Sequence, residues 1–188
     1  MAIVRASHLG RTFIMPAEIE AFLHAIGVEY QRWARILTLP LESSAETILK
    51  TYAPHLEQYK SKKDFAGYDV LELNPCARSA EEMRENFKKE HWHGDFESYF
   101  ILAGRGICYV HPAGEPVISV ELEPGDLISI GKYIRHWCDV CPEARFRAIR
   151  FISHPEKQST VYTRSGIEAE YESVYVSPAA FAFAGGRR

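Results

Sequence analysis

The spacing of hydrophobic positions changes period along the chain. Between Pro16 and Gly27, residues Ile19, Phe22, Leu23 and Ile26 recur at the i, i+3, i+4, i+7 positions of one helical face. Pro16 suits a first helical turn, where no N–H donor is needed, and Gly27 suits the residue just past the end, so a helix is predicted between them. A second helix is predicted from Ser43, which stands at capping-box spacing from Glu46, with Ile48, Leu49 and Tyr52 on one face. Pro54 removes a donor from that helix and should interrupt or kink it. A third capping box, Ser79 with Glu82, introduces Met83 and Phe87 before the chain reaches Glu90.

From Tyr68 to Leu73, and almost continuously from Glu97 to Phe151, short β-branched and aromatic runs replace the helical period. Gly104-Arg105-Gly106, Pro112-Ala113-Gly114, Pro124-Gly125-Asp126 and Cys141-Pro142-Glu143 punctuate them at roughly ten-residue intervals, the rhythm of an antiparallel sandwich or barrel. The expected fold is therefore mainly β, α+β by content: an antiparallel β-barrel with N-terminal helices packed against it. One domain over 1–188 is expected, with a helical layer mainly in 15–90, a barrel mainly in 68–172 and a tail at 173–188.

Composition narrows the functional classes. A length of 188 residues with 46% apolar content suits one ordinary core. A formal net charge of -3, with both signs scattered, gives no basic stripe for nucleic acid or anionic lipid. No apolar run is long enough for a membrane span, and Met1 to Phe13 lacks a secretory pattern, so a cytoplasmic protein is expected. Cys76, Cys108, Cys138 and Cys141 are too few and too unevenly spaced for a disulfide scaffold and are expected to be reduced thiols.

The chemistry concentrates in Glu90-His91-Trp92-His93-Gly94-Asp95-Phe96-Glu97. On a strand, residues two apart share a face, so His91 and His93 project together, and Glu97 joins them if the strand is not bulged. His136 lies just past the run Gly125-Asp126-Leu127-Ile128-Ser129-Ile130, and a hairpin return would bring it opposite. Three imidazoles and one carboxylate suit a borderline divalent ion such as Fe(II), Ni(II), Co(II), Mn(II) or Zn(II). Four protein ligands leave an octahedral ion two open positions, enough to chelate a diol or enediol.

Other side chains have less specific readings. Glu90 is either a hydrogen-bond partner for an imidazole N–H or a solvated helix-end glutamate. Tyr99 has the parity to face the interior with Glu97, for a proton-transfer role or for packing. Arg135 is a surface charge or a cation for substrate, and Arg147 and Arg150 fall on opposite strand faces, so at most one enters the barrel. The CxxC spacing of Cys138 and Cys141 is read as coincidence, because no second pair exists. His8, His24, His55, His111 and His154 have no partner at ligand spacing and are expected to be structural or exposed. The apolar Ser177 to Ala184 segment reads as a docking tail, compatible with a monomer or a small homo-oligomer.

The pattern HxHxxxE with a following glycine, then Pro-Gly-Asp and a later histidine, resembles the two motifs of the cupin superfamily. Lys89 to Glu97, Gly125 to Ser129 with Arg135-His136-Trp137, and Phe146 to Phe151 followed by Pro155-Glu156 resemble, more narrowly, the acireductone dioxygenase family. Gly27 to Trp33, Tyr68-Asp69-Val70 and Tyr162-Thr163 extend the resemblance to about Glu172. It implies a jelly-roll cupin barrel that binds one Fe(II) or Ni(II) through His91, His93, Glu97 and His136. It also implies a small enediol as substrate, cleaved by O2 to formate and a 2-oxo acid in methionine salvage, or with nickel to formate, carbon monoxide and a shorter acid. Three pocket positions depart from the family: Tyr99 replaces an arginine, Cys138 an aromatic and Gln158 a tryptophan. Those departures leave open a different enediol or hydroxy-ketone, processed by oxygenation, isomerisation or lysis, and a cupin that binds its ligand without converting it.

Overall fold

In a computed structural model, residues 2–33, 39–40, 42–74, 78–141, 145–157 and 159–171 are described. Cys76, Gln158 and the apolar tail lie outside them. The strands are β1 (Ile3–Ala6), β2 (Arg11–Phe13), β3 (Val28–Arg32), β4 (Gly67–Leu73), β5 (His91–His93), β6 (Glu97–Ala103), β7 (Gly106–His111), β8 (Ile118–Leu122), β9 (Asp126–Ile130), β10 (Arg135–Val140), β11 (Phe146–Ile152) and β12 (Thr160–Tyr162). Three α-helices join them, α1 (Pro16–Ala25), α2 (Ala45–Lys63) and α3 (Arg78–Phe87).

Antiparallel pairing builds two sheets, one ordered β12-β5-β10-β7-β8-β1-β2 and the other β3-β9-β6-β11-β4. Alternation assigns their faces. On the inner faces, Val4, Val110, Val120, Ile101, Ile128, Ile130 and Ala148 form the main core, which is the interior of a cupin-type barrel. The outer face of the five-stranded sheet carries Phe100, Leu127, Ile149 and Phe151, and α2 covers it with Ile48, Tyr52, Leu56 and Tyr59. On the other sheet, Tyr109 and Trp137 face outward and stack with ring centroids 5.1 Å apart. Phe100 sits between layers, with its ring centroid 4.5 Å from that of Trp33 and 5.4 Å from that of Tyr52. Phe100→Ala is expected to cost about 3–5 kcal/mol, read from the urea midpoint at unchanged m-value.

The elements depart from expectation in four places. The first 33 residues contribute three strands as well as α1, because β1 pairs with β8 and β3 with β9. The cap of α2 is Ser44, whose side chain accepts from the Thr47 N–H, one residue later than the Ser43 box suggested. That helix also continues through Pro54. Proline costs a helix interior about 3 kcal/mol, whereas burying a large apolar side chain contributes about 1.5–3 kcal/mol. Ile48 and Tyr52 before Pro54, with Leu56 and Tyr59 after it, are all buried and hold both halves on the sheet. Finally, α3 begins at Arg78, so Ser79 lies inside its first turn.

Candidate metal centre

His91 and His136 are brought together by strand register: β10 runs antiparallel to β5 with His136 directly opposite His91. His93 shares the face of His91 two residues on. Glu97 arrives differently from the expected single strand, because β5 ends at His93 and β6 belongs to the opposite sheet. Its carboxylate therefore meets the imidazoles across the barrel. One ligand atom from each of His91, His93, Glu97 and His136 lies within 4.8 Å of all the others. Donors about 2.1 Å from a common ion stand about 3 Å apart when adjacent and about 4.2 Å apart when opposed, and the 2.8 Å from His136 Nε2 to Glu97 Oε2 matches an adjacent pair.

The imidazoles are also presented in one tautomer. Nδ1 of His91 lies 2.6 Å from the Lys89 carbonyl, Nδ1 of His93 3.1 Å from that of Ser159, and Nδ1 of His136 2.8 Å from that of Ile134. A carbonyl only accepts, so each Nδ1 donates; without a cation His136 Nε2 donates to Glu97 Oε2, and with one at the centre each Nε2 would present its lone pair to it. Nε2 of His93 is buried with no hydrogen-bond partner in the protein. Burial, followed by the charge of His136, pushes the His91 pKa down to about 4 and so favours the neutral ligand form. At Glu97 burial alone would raise the pKa, but His136 and His93 outweigh it and hold the carboxyl well below its usual range. An orphaned buried nitrogen, imidazoles anchored at Nδ1 by backbone carbonyls and an ionised carboxylate fit a divalent cation.

Around this donor set, Tyr99 donates to Glu97 Oε1 at 2.8 Å. Burial, then the Glu97 charge, pushes its phenol well up, so it remains a donor. Arg150 stands directly opposite Tyr99 across β11 and β6. Asp69 holds the guanidinium through Nε at 3.1 Å and Nη2 at 2.6 Å. Arg150 is the arginine that enters the barrel, and Arg147 turns outward to the Ser43 carbonyl at 2.9 Å. Arg135 points to the Pro112 carbonyl instead of the site. A cavity of about 240 Å³ is bounded by His91, His93, Glu97, Tyr99, Arg150 and Tyr162. Behind it, an apolar space of about 40 Å³ touches His91, Glu97 and Tyr99 and ends on Cys108 and Cys138.

Glu90 is no solvated helix-end residue, and the imidazole N–H it accepts from is not that of a metal-ligand candidate. It is buried, accepts from His111 Nδ1 at 2.5 Å and from Ser165 Oγ at 2.7 Å, and pairs with Thr163 Oγ1. Its imidazole partner is thus His111, which spacing had left without a role, and together they clamp the chain after β12 onto the start of β5. The cysteines differ too: Cys108 and Cys138 form a disulfide, and Cys141 stands outside it. The antiparallel register of β7 and β10 sets Cys108 directly opposite Cys138, a proximity that sequence spacing does not show. Among the described residues, no helix is long and apolar enough to cross a membrane.

Comparison with known proteins agrees with this geometry. The sequence pattern of the ARD/ARD' family matches residues 18–160. An acireductone dioxygenase of Methylococcus capsulatus is 36% identical over 149 residues, spanning 79% of this chain and 80% of that protein. One from Frankia alni is 37% identical over 157 residues, spanning 81% and 76%. Among solved structures, acireductone dioxygenase from Bacillus anthracis with a cadmium ion in its active center superposes with a TM-score of 0.76 at 27% identity, covering 86% of this chain and 98% of that one. With a match over most of its length and a barrel whose donors converge as a cation requires, the chain belongs to the ARD/ARD' family.

Proposed function

We propose that this chain is an acireductone dioxygenase that binds one Fe(II) or Ni(II) per chain through His91, His93, Glu97 and His136. In this reading it cleaves a small enediol of the 1,2-dihydroxy-3-keto-pentene type with O2 to formate and a 2-oxo acid, as in methionine salvage, in the cytoplasm. The observation that carries the reading is the convergence of three Nε2 atoms, each fixed by a carbonyl at Nδ1, on the Glu97 carboxylate. When bound, the metal supplies a template for two substrate oxygens and stabilises their negative charge.

The remaining work falls to the chain. Tyr99 holds Glu97 Oε1 and fixes the carboxylate plane. Arg150, opposite Tyr99, supplies the permanent cation that a tyrosine at position 99 does not. Its hydrogen bonds to Asp69 raise its pKa further, so it stays charged and oriented beside the cavity that would take an anionic enediol. The apolar space behind receives the substrate tail. Glu90 is a positioning residue here, since it touches neither the donor set nor the cavity.

The test is protein reconstituted separately with Fe(II) and Ni(II), supplied with an acireductone in an oxygen electrode. The reading predicts equimolar O2 uptake and formate release. Unchanged O2 and substrate across a panel of acireductones would overturn it. In the same assay Tyr99→Phe should keep its metal while kcat falls about tenfold, the low end of the range for losing one hydrogen bond to a charged group (about 1.5 kcal/mol). Loss of metal in that variant would show that Tyr99 holds the ligand set together.

A further inference from the structure

We propose that Cys108 and Cys138 are a reversible dithiol–disulfide pair that sets the size of the apolar end of the active-site cavity. The proposal rests on the reading that this cavity receives the tail of the substrate. The two cysteines are directly opposed on β7 and β10, with Cα atoms 4.3 Å apart. Both side chains face the barrel interior, Cys108 buried and Cys138 partly exposed against the same core. Together with Leu71, Ile101, Leu122 and Phe146 they close the apolar space that Tyr99 and Glu97 bound at its other end. Cys138 shares a strand face with His136 two residues away, or about 6.6 Å along the strand. No cysteine pair in the described residues is nearer the donor set.

The volume argument is direct. Disulfide sulfurs are about 2.05 Å apart. Two unbonded thiols stand roughly 3.6 Å apart at van der Waals contact, so reduction must move one or both sulfurs by about 1.5 Å in total. The strands are held in register on both sides of the pair, and the open direction is the apolar space. That space is about 40 Å³, room for only a few waters at about 10–15 Å³ each on the same measure, so a displaced sulfur reduces it. The disulfide state therefore has the deeper cavity, and the dithiol state the shallower one.

The chemistry balances with a peroxide as oxidant. One thiolate attacks the peroxide O–O bond, giving a sulfenic acid and hydroxide. The second thiol then displaces that hydroxyl, the S–S bond forms, and the two thiols with one H2O2 yield one disulfide and two waters. A small dithiol reverses the step by exchange at Cys138, the less buried of the two residues, and leaves as its own disulfide.

The experiment equilibrates the full-length metal-loaded protein anaerobically across ratios of reduced to oxidised dithiothreitol and counts thiols by alkylation mass shift. Xenon uptake, followed by NMR, reports the cavity without turnover. Steady-state kinetics on acireductones of increasing tail length report it with turnover. Expected results are two thiols that appear and disappear together, stronger xenon binding in the disulfide state, and a KM preference for the longer tail that changes about tenfold with redox state per added methylene. Cys108→Ser should abolish all three redox responses while keeping its metal, and Cys138→Ala, if it folds better, serves the same purpose. A pair that stays oxidised throughout, or xenon binding that ignores its state, overturns the proposal. If xenon follows the redox state but no acireductone is turned over, the cavity switch stands and the dioxygenase reading falls.

Discussion

Protein carrying His93→Ala is expected to fold but to hold less than about a tenth of an equivalent of metal, with O2 consumption at background. His93 contributes an Nε2 that is buried without a hydrogen-bond partner, with the Glu97 carboxylate as its charged neighbour. Its loss removes the contacts of Nδ1 with the Ser159 carbonyl and Thr160 Oγ1, a cost of about 1–2 kcal/mol. The fold should tolerate that. Metal affinity should not, because three remaining donors leave an additional position to water and the Glu97 carboxylate loses a neighbour 3.5 Å away. Thermal unfolding separates the two effects. A ligand at a hundred times its dissociation constant adds about 2.7 kcal/mol of stability, so Fe(II) or Ni(II) should raise the midpoint of the unsubstituted protein and leave that of the variant unmoved. If metal still stabilises the variant, the assignment of His93 as a ligand is wrong.

The donor set was legible in the sequence because its signal is local or nearly so. Two histidines separated by one residue share a face on any strand, and His136 follows a strand long enough to return beside them. The route of Glu97 was not legible. Counting parity from His93 reaches the right direction for the wrong reason, since Gly94 to Phe96 carry the chain from one sheet to the other. Arg150 illustrates a related limit: spacing separates it from Arg147 but does not say which of them faces inward. Burial of Ile149 and Phe151 beneath α2 decides that, and α2 is remote in sequence. The pairings of Glu90 with His111 and of Cys108 with Cys138 depend wholly on which strands become neighbours. Strands β1 to β3 were obscured by their shortness and by the strong helical period that follows them. Pro54 shows the converse, a local rule overridden by tertiary packing.

Replacement of Arg150 by methionine should lower kcat/KM by about 10- to 100-fold at unchanged metal content. Methionine keeps much of the length and removes the charge, so the expected effect is that of one charge-assisted hydrogen bond proposed between Arg150 and the substrate, about 1.5–3 kcal/mol. The fold should survive, because Asp69, the carboxylate left behind, has a side chain 41% exposed and can be solvated. Arg150→Lys tests geometry separately. It restores the charge without the planar fork that now meets both Asp69 oxygens, so recovery should be partial. If the anionic enediol depends on this cation, the methionine variant should also lose most of the salt sensitivity of kcat/KM, since screening acts on the charge that has been removed. An unchanged kcat/KM would move the substrate cation away from β11, and the altered position at Tyr99 would then require a substrate that needs no such charge.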